Sequence, residues 1–299
     1  MNDTVVTPDI PNAPYVTRGG VKYFDLTAEP VEREILPGVI LRTWCYNGLL
    51  PGPTIVVEPG DYVCIRVANR LPEPTSVHWH GLFIPNAMDG VPDAEPSPRI
   101  DPGKSFEYRF KIVNPPGTYM YHSHWSARQE MRGMGGGFIV LDTNPYRDRV
   151  QRDYFMMLQE FRLPGMPPES VAPGIYPADP ESESFNFFTI NGRCFPHTSP
   201  LQVRQGDAVR LRFANFMMNA HPMHLHGHPF AVSGADGHPI AHANRVWKNT
   251  IPVASGETWD VEFHANNPGS WALHCHMPHH TSNNKAPGLG GMFTKIVYV

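Results

Sequence analysis

Residues 271–280 read Trp-Ala-Leu-His-Cys-His-Met-Pro-His-His. Cys275 lies between His274 and His276, and His280 follows five positions after the cysteine. A thiolate set among imidazoles is a soft donor group that favours copper. In an extended strand, side chains alternate between faces. Cys275 would then point one way and His274 and His276 the other. Such a strand could bind a metal on each face, joined by a covalent path a few bonds long. That suits chemistry in which electrons enter at one metal and leave at others.

The pattern recurs. His-x-His pairs stand at His78/His80 (HWHG), His122/His124 (HSHW), His224/His226 (HLHG) and His274/His276 (HCH). With 16 His in 299 residues, about one such pair would arise by chance, so four in matched contexts need a cause. A single pair would read as a half-exposed strand; four with a cysteine in the last read as a metal centre.

The elements that carry these residues repeat. Gly60–Asn69 (GDYVCIRVAN) matches Gly206–Asn215 (GDAVRLRFAN), and 17 positions separate Asp61 from His78 and Asp207 from His224. Gly103–Phe110 matches Gly256–Phe263, Pro116–His124 matches Pro268–His276, and Gly133–Phe138 matches Gly288–Phe293. Most blocks alternate apolar and polar residues and end in Gly, Pro or Asn turns, the pattern of short strands in an all-β sandwich. No long amphipathic helix is legible. The repeat predicts two domains, 1–145 and 146–299, with the linker within 142–186. Tyr154–Gln159 reads as the first strand of the second domain, and Pro164–Ser184 as loop.

Composition agrees. Hydrophobic residues are 41% and charged residues 17%, enough apolar matter for a real core. The 33 Pro and 26 Gly fit many turns. Formal net charge is −4 and no basic run occurs, which argues against nucleic acid as a partner. No apolar stretch reaches membrane-spanning length. The N-terminus lacks the charged and apolar regions of a signal peptide. Because thiolate–copper chemistry suits a non-reducing compartment, a secreted or periplasmic protein whose signal peptide is already removed is expected. Cys45, Cys64 and Cys194 are read as free thiols, with a Cys45–Cys194 bridge as the alternative.

Over nearly its whole length, and in all four HxH blocks taken in order, the chain resembles the two-domain, laccase-like multicopper oxidases. The resemblance implies two cupredoxin-like Greek-key β-sandwich domains. It implies oxidation of phenolic or similar one-electron donors at a type 1 copper and reduction of dioxygen to water at a trinuclear cluster. On the family pattern the type 1 copper takes His221, Cys275 and His280. The type 2 copper takes His78 and His224. The paired type 3 coppers take His80, His122, His124, His226, His274 and His276. That is about four coppers per subunit on the family stoichiometry. Cys275, His274 and His276 form the electron path, and Asp89 is a candidate proton relay, though an Asp-Gly turn would explain it equally.

Domain 1 has Ser123 where domain 2 has Cys275, so it supplies cluster ligands only. The residue ten positions after the cysteine is Lys285, a poor neighbour for a metal. Matching Gly288-Leu-Gly-Gly to Gly133-Met-Gly-Gly points to Leu289 as the non-coordinating axial neighbour, with Met292 the competitor. His279 competes with His280 as ligand. The alternatives are a metallo-oxidase acting on Cu(I) or Fe(II), a copper nitrite reductase, or a copper-storage or electron-transfer protein. A cluster with ligands from both domains further implies a homotrimer in which domain 1 of one subunit meets domain 2 of the next.

Overall fold

The computed structural model describes residues 5–143 and 150–299. It is nearly all β, in two sandwiches. The first pairs a six-stranded with a four-stranded sheet, the second a seven-stranded with a five-stranded sheet. The expected domain boundary at 145/146 lies outside the described residues.

The repeated blocks become equivalent strands. Tyr62–Asn69 pairs antiparallel with Ser105–Lys111, as Ala208–Ala214 pairs with Thr258–His264. His78–His80 pairs with Gly117–His122, as His221–Leu225 pairs with Ser270–Cys275. Matched glycines make the turns: Gly60 and Gly206 have φ of 92° and 91°, a left-handed conformation that a Cβ would strain. Alternating apolar residues on the facing sheets fill the cores, with Trp79, Tyr108 and Phe138 in the first half and Val209, Phe213 and Phe263 in the second.

The segment after Tyr154 is a strand, Arg152–Phe161, which pairs parallel with Ala208–Ala214. The following stretch differs from the expected plain loop. Gly174–Pro177 forms an edge strand, paired parallel with Val39–Tyr46 of the first half. Backbone groups of Val39–Arg42 find partners there that would otherwise face solvent. No cysteines are bridged among the described residues. The Cys45 thiol donates to the Gly133 carbonyl and the Cys194 thiol to that of Phe188.

The halves lock together. Arg212, buried, donates to Asp153 and Asp260 of its own half and to the Thr118 hydroxyl of the other. Thr258 donates to the Thr118 carbonyl at 2.6 Å, and the Tyr119 hydroxyl to that of Gly237 at 2.8 Å. A buried guanidinium must be paired to be tolerated; here two carboxylates share it.

Candidate metal centres

One end of the second sandwich brings His221, Cys275 and His280 together. His221 opens the strand His221–Leu225, and its neighbour Met223 pairs with Cys275 on the adjoining strand. His280 sits in the 3₁₀ turn Pro278–Thr281 that follows. The two Nδ1 atoms lie 3.0 Å apart, and the Cys275 Sγ is 3.5 Å from that of His280 and 4.0 Å from that of His221. All three side chains are buried. Donor atoms so spaced suit one ion bound to all three, and the soft donor set suits copper. Burial pushes the Cys275 thiol up to about 12 and holds the His280 imidazole down at about 3, so in the metal-free state both are neutral at pH 7. The His221 Nε2 donates to the Glu160 carboxylate at 2.8 Å, which leaves the Nδ1 lone pair facing the cysteine. Phe188 stacks on His280 with ring centroids 3.9 Å apart.

His279 is exposed and His280 buried at the thiol, so the geometry separates them. Leu289 does not share the burial of the group. Its side chain is 63% exposed, whereas Met292 is fully buried in the same apolar cluster as Cys275. The error is one of register. The Cys275 N–H donates to the Met292 carbonyl, as the Ser123 N–H donates to that of Met134. The backbone therefore equates Met292, not Leu289, with Met134. The glycines of the two blocks match in sequence, but the strand partners do not follow them.

The eight histidines of the repeated pairs form two sets. In the first half, the rings of His80, His122 and His124 lie 5.4–5.5 Å from that of His78. The His80 Nδ1 is 3.3 Å from the His122 Nε2. In the second half, the rings of His226, His274 and His276 lie 4.8–5.7 Å from that of His224, and the Nε2 atoms of His226 and His274 are 3.0 Å apart. Among the described residues no ring contact joins the two sets. His124, His226 and His276 are exposed.

Backbone carbonyls fix which nitrogen each ring presents. The Nδ1 of His274 donates to the Cys275 carbonyl at 2.8 Å, that of His122 to the Ser123 carbonyl at 3.0 Å, that of His224 to the Asn249 carbonyl at 2.8 Å, and that of His78 to the Asp89 carbonyl at 2.9 Å. Each ring thereby turns its Nε2 lone pair outward, ready for a metal. His80 is the exception and presents Nδ1 toward His122. Burial and the neighbouring rings hold its imidazole down at about 4; burial also lowers those of His78, His226 and His274. Neutral, unprotonated rings are what metal binding requires.

Asp89 caps the 3₁₀ turn Asn86–Met88, and its Oδ2 is 3.3 Å from the His78 Nδ1. It is both turn residue and neighbour of the ring. Gly90 lets it approach: a Cβ there would meet the Val77 carbonyl oxygen at 1.8 Å. Glu130, which sequence reasoning did not single out, reaches the His122 Nδ1 at 2.9 Å. Glu160 also went unnoticed. The signal for it was present: a carboxylate inside the apolar run Tyr154–Phe161 (YFMMLQEF) is costly to bury without a partner.

Comparison with known proteins agrees with this geometry. Multicopper oxidase family models match residues 27–145 and 170–287. The blue copper oxidase of Nitrosomonas europaea superposes with a TM-score of 0.81 at 34% identity, covering 92% of this chain and 85% of that one. Laccase-1 of Cryptococcus neoformans var. neoformans is 33% identical over 290 residues, 89% of this chain and 44% of its own length. Multicopper oxidase MmcO of Mycobacterium tuberculosis is 29% identical over 264 residues, 79% of this chain and 50% of its own. The chain belongs to the multicopper oxidases. It spans about half the length of these two curated relatives.

Proposed function

We propose that the chain is a laccase-like oxidase that takes single electrons from phenolic or similar small donors and delivers them to dioxygen. The observation that carries the reading is the strand Ser270–Cys275. Cys275 lies in one donor group, while His274, the preceding residue, lies in the other. Copper at His221, Cys275 and His280 would supply a one-electron acceptor, and copper among the eight histidines of the four repeated HxH pairs would supply the site of oxygen reduction.

The protein's own groups do the rest. Cys275 and His274 give a covalent path between the groups, and a second path runs from the Cys275 carbonyl to the His274 Nδ1–H. His78 and His224 are assigned to the type 2 ion, and His80, His122, His124, His226, His274 and His276 to the type 3 pair. Met292, buried in the same cluster as Cys275, would be the thioether available to a copper held by His221, Cys275 and His280. Asp89, at the His78 ring, is the candidate to pass protons to reduced oxygen. Residues 1–145 and 146–299 are the two working units, with Gly174–Pro177 reaching back from the second to the first. We place the protein outside the cytoplasm, where thiolate–copper chemistry is not opposed by reductants.

Among the described residues no ring contact joins the two histidine sets, and each has exposed rings. An exposed apolar residue, Trp247, lies beside the second set. We therefore assign the working state to a homotrimer in which the first set of one subunit meets the second set of the next, a head-to-tail contact that closes on itself.

The test has three arms. The copper-loaded protein should be blue and consume dioxygen with a phenol, and Cys275→Ser should lose both. Ferrous ion, cuprous ion and nitrite as rival substrates test the other readings; faster turnover of any of them would displace this one. Mixing a His78→Ala/His80→Ala subunit with a His274→Ala/His276→Ala subunit should restore activity in mixed trimers. A fully active monomer in light scattering would exclude the shared cluster.

A further inference from the structure

The first half has no cysteine at the place of Cys275, yet the frame of the three-residue group is still there. In the second half the Cys275 N–H donates to the Met292 carbonyl, and the Met292 N–H to that of His280. In the first half the Ser123 N–H donates to the Met134 carbonyl, and the Met134 N–H to that of Gln129. Ser123 thus stands for Cys275, Gln129 for His280 and Met134 for Met292. The third member follows from a second repeated device. The Asn215 side chain accepts from the Met217 N–H and donates to the Asn219 carbonyl; Asn69 accepts from the Leu71 N–H and donates to that of Glu73. His221 lies two residues beyond Asn219, and Thr75 two beyond Glu73.

These three equivalent residues converge on one atom. The Gln129 Oε1 accepts from the Thr75 hydroxyl at 2.8 Å and from the Ser123 hydroxyl at 2.7 Å. The Gln129 Nε2 donates to the Glu73 carboxylate at 2.7 Å and to the Pro74 carbonyl at 2.8 Å. The whole amide is satisfied, and Thr75, Ser123 and Gln129 are each 0% exposed. We propose that the first half keeps the cradle of a metal site whose centre is now the Gln129 amide. This amide holds His78, His122 and His124 in register without an ion. Gln129 is a positioning residue: it acts through Thr75, three residues before His78, and through Ser123, between His122 and His124. Restoring the soft donors should make the cradle bind copper, with Met134 at the position equivalent to Met292. The inference rests on reading His221, Cys275 and His280 as a copper site.

The experiment places Thr75→His/Ser123→Cys/Gln129→His in a chain that also carries Cys275→Ser, so that the native group is silent. Blue absorbance should return, with about one more copper per chain than Cys275→Ser alone. A folded variant, by circular dichroism, with neither overturns the proposal. Because that variant replaces three buried residues, Gln129→Met in the native chain is measured beside it. It should keep the blue band while losing at least half of the remaining copper after dialysis against a weak chelator. Glu73→Gln/Gln129→Glu, which exchanges donor and acceptor across the Glu73 contact but gives up the bond to the Pro74 carbonyl, should recover part of that copper. Full copper in Gln129→Met would also overturn the proposal. A colourless wild-type chain would instead remove the functional reading on which both rest.

Discussion

The Glu160 carboxylate and the His221 imidazole meet at 2.8 Å, and neither side chain reaches solvent. The other Glu160 oxygen accepts the Asn219 N–H at 2.8 Å, so the acid is held at both ends. A buried carboxylate at the outer nitrogen of a metal-binding histidine makes the ring a stronger donor and fixes its orientation.

That contact leads to the first prediction. Glu160→Gln keeps the volume but removes the negative charge, so the ring should donate less to oxidised copper and the reduction potential of the blue site should rise. Copper affinity should fall about 10–100-fold, the usual effect of losing such a partner. A redox titration followed at the blue band reads the potential. An unchanged or lower value would remove Glu160 from the account.

The axial assignment can be tested in the same way. Met292→Leu should raise the potential, because a thioether donor is lost. Leu289→Met should leave it where it is, since that side chain points to solvent. A shift in the second variant with none in the first would restore the sequence-based register.

The pH dependence of the metal-free protein follows from its histidines. His280 and His80 are held down at about 3 and about 4, below their ordinary value near 6.5. The unfolded chain binds more protons than the folded one between those values, so stability rises with pH there. It is fully present above about 6.5 and is lost as pH falls toward 3. Thermal or urea unfolding of the apo-protein should show a loss of about 1–3 kcal/mol from pH 7 to pH 5. A flat profile would mean that these rings are hydrated.

Asn284 should control the segment before residue 186. Its Nδ2 donates to the Pro167 and Ser170 carbonyls, and its Oδ1 accepts from Asn186. Its φ of 52° suits asparagine or glycine. Asn284→Gly keeps that backbone and deletes the contacts, so limited proteolysis within 164–173 should speed up, with about 1–3 kcal/mol lost from stability. Unaltered cleavage would show that the segment is held by other contacts.

Much of this was legible before any coordinates. The four HxH pairs and the matched glycines at 60 and 206 predict strands of the right kind, because strand patterning and turn residues are local. The partners of Cys275 were legible on the family pattern. What escaped was contact between distant strands. Glu160 meets His221 across 61 positions, and no periodicity encodes that pairing. The axial position failed because twelve residues separate His280 from Met292 and only five separate Gln129 from Met134. A glycine match inside a loop of altered length cannot set register; only the ladder can. The Gly174–Pro177 strand escaped for a similar reason, since an edge strand of four residues is defined by the neighbour it finds.

That short strand also limits how the molecule can be taken apart. A chain that ends the first unit near residue 145 leaves the backbone of Val39–Arg42 open along one edge, ready to pair with another copy. A second unit begun there carries a strand with nothing to lie against. The two halves, though copies in pattern, are no longer interchangeable parts, and a chimera that swaps one of them must carry residues 174–177 with the sheet they complete rather than with the sequence that contains them.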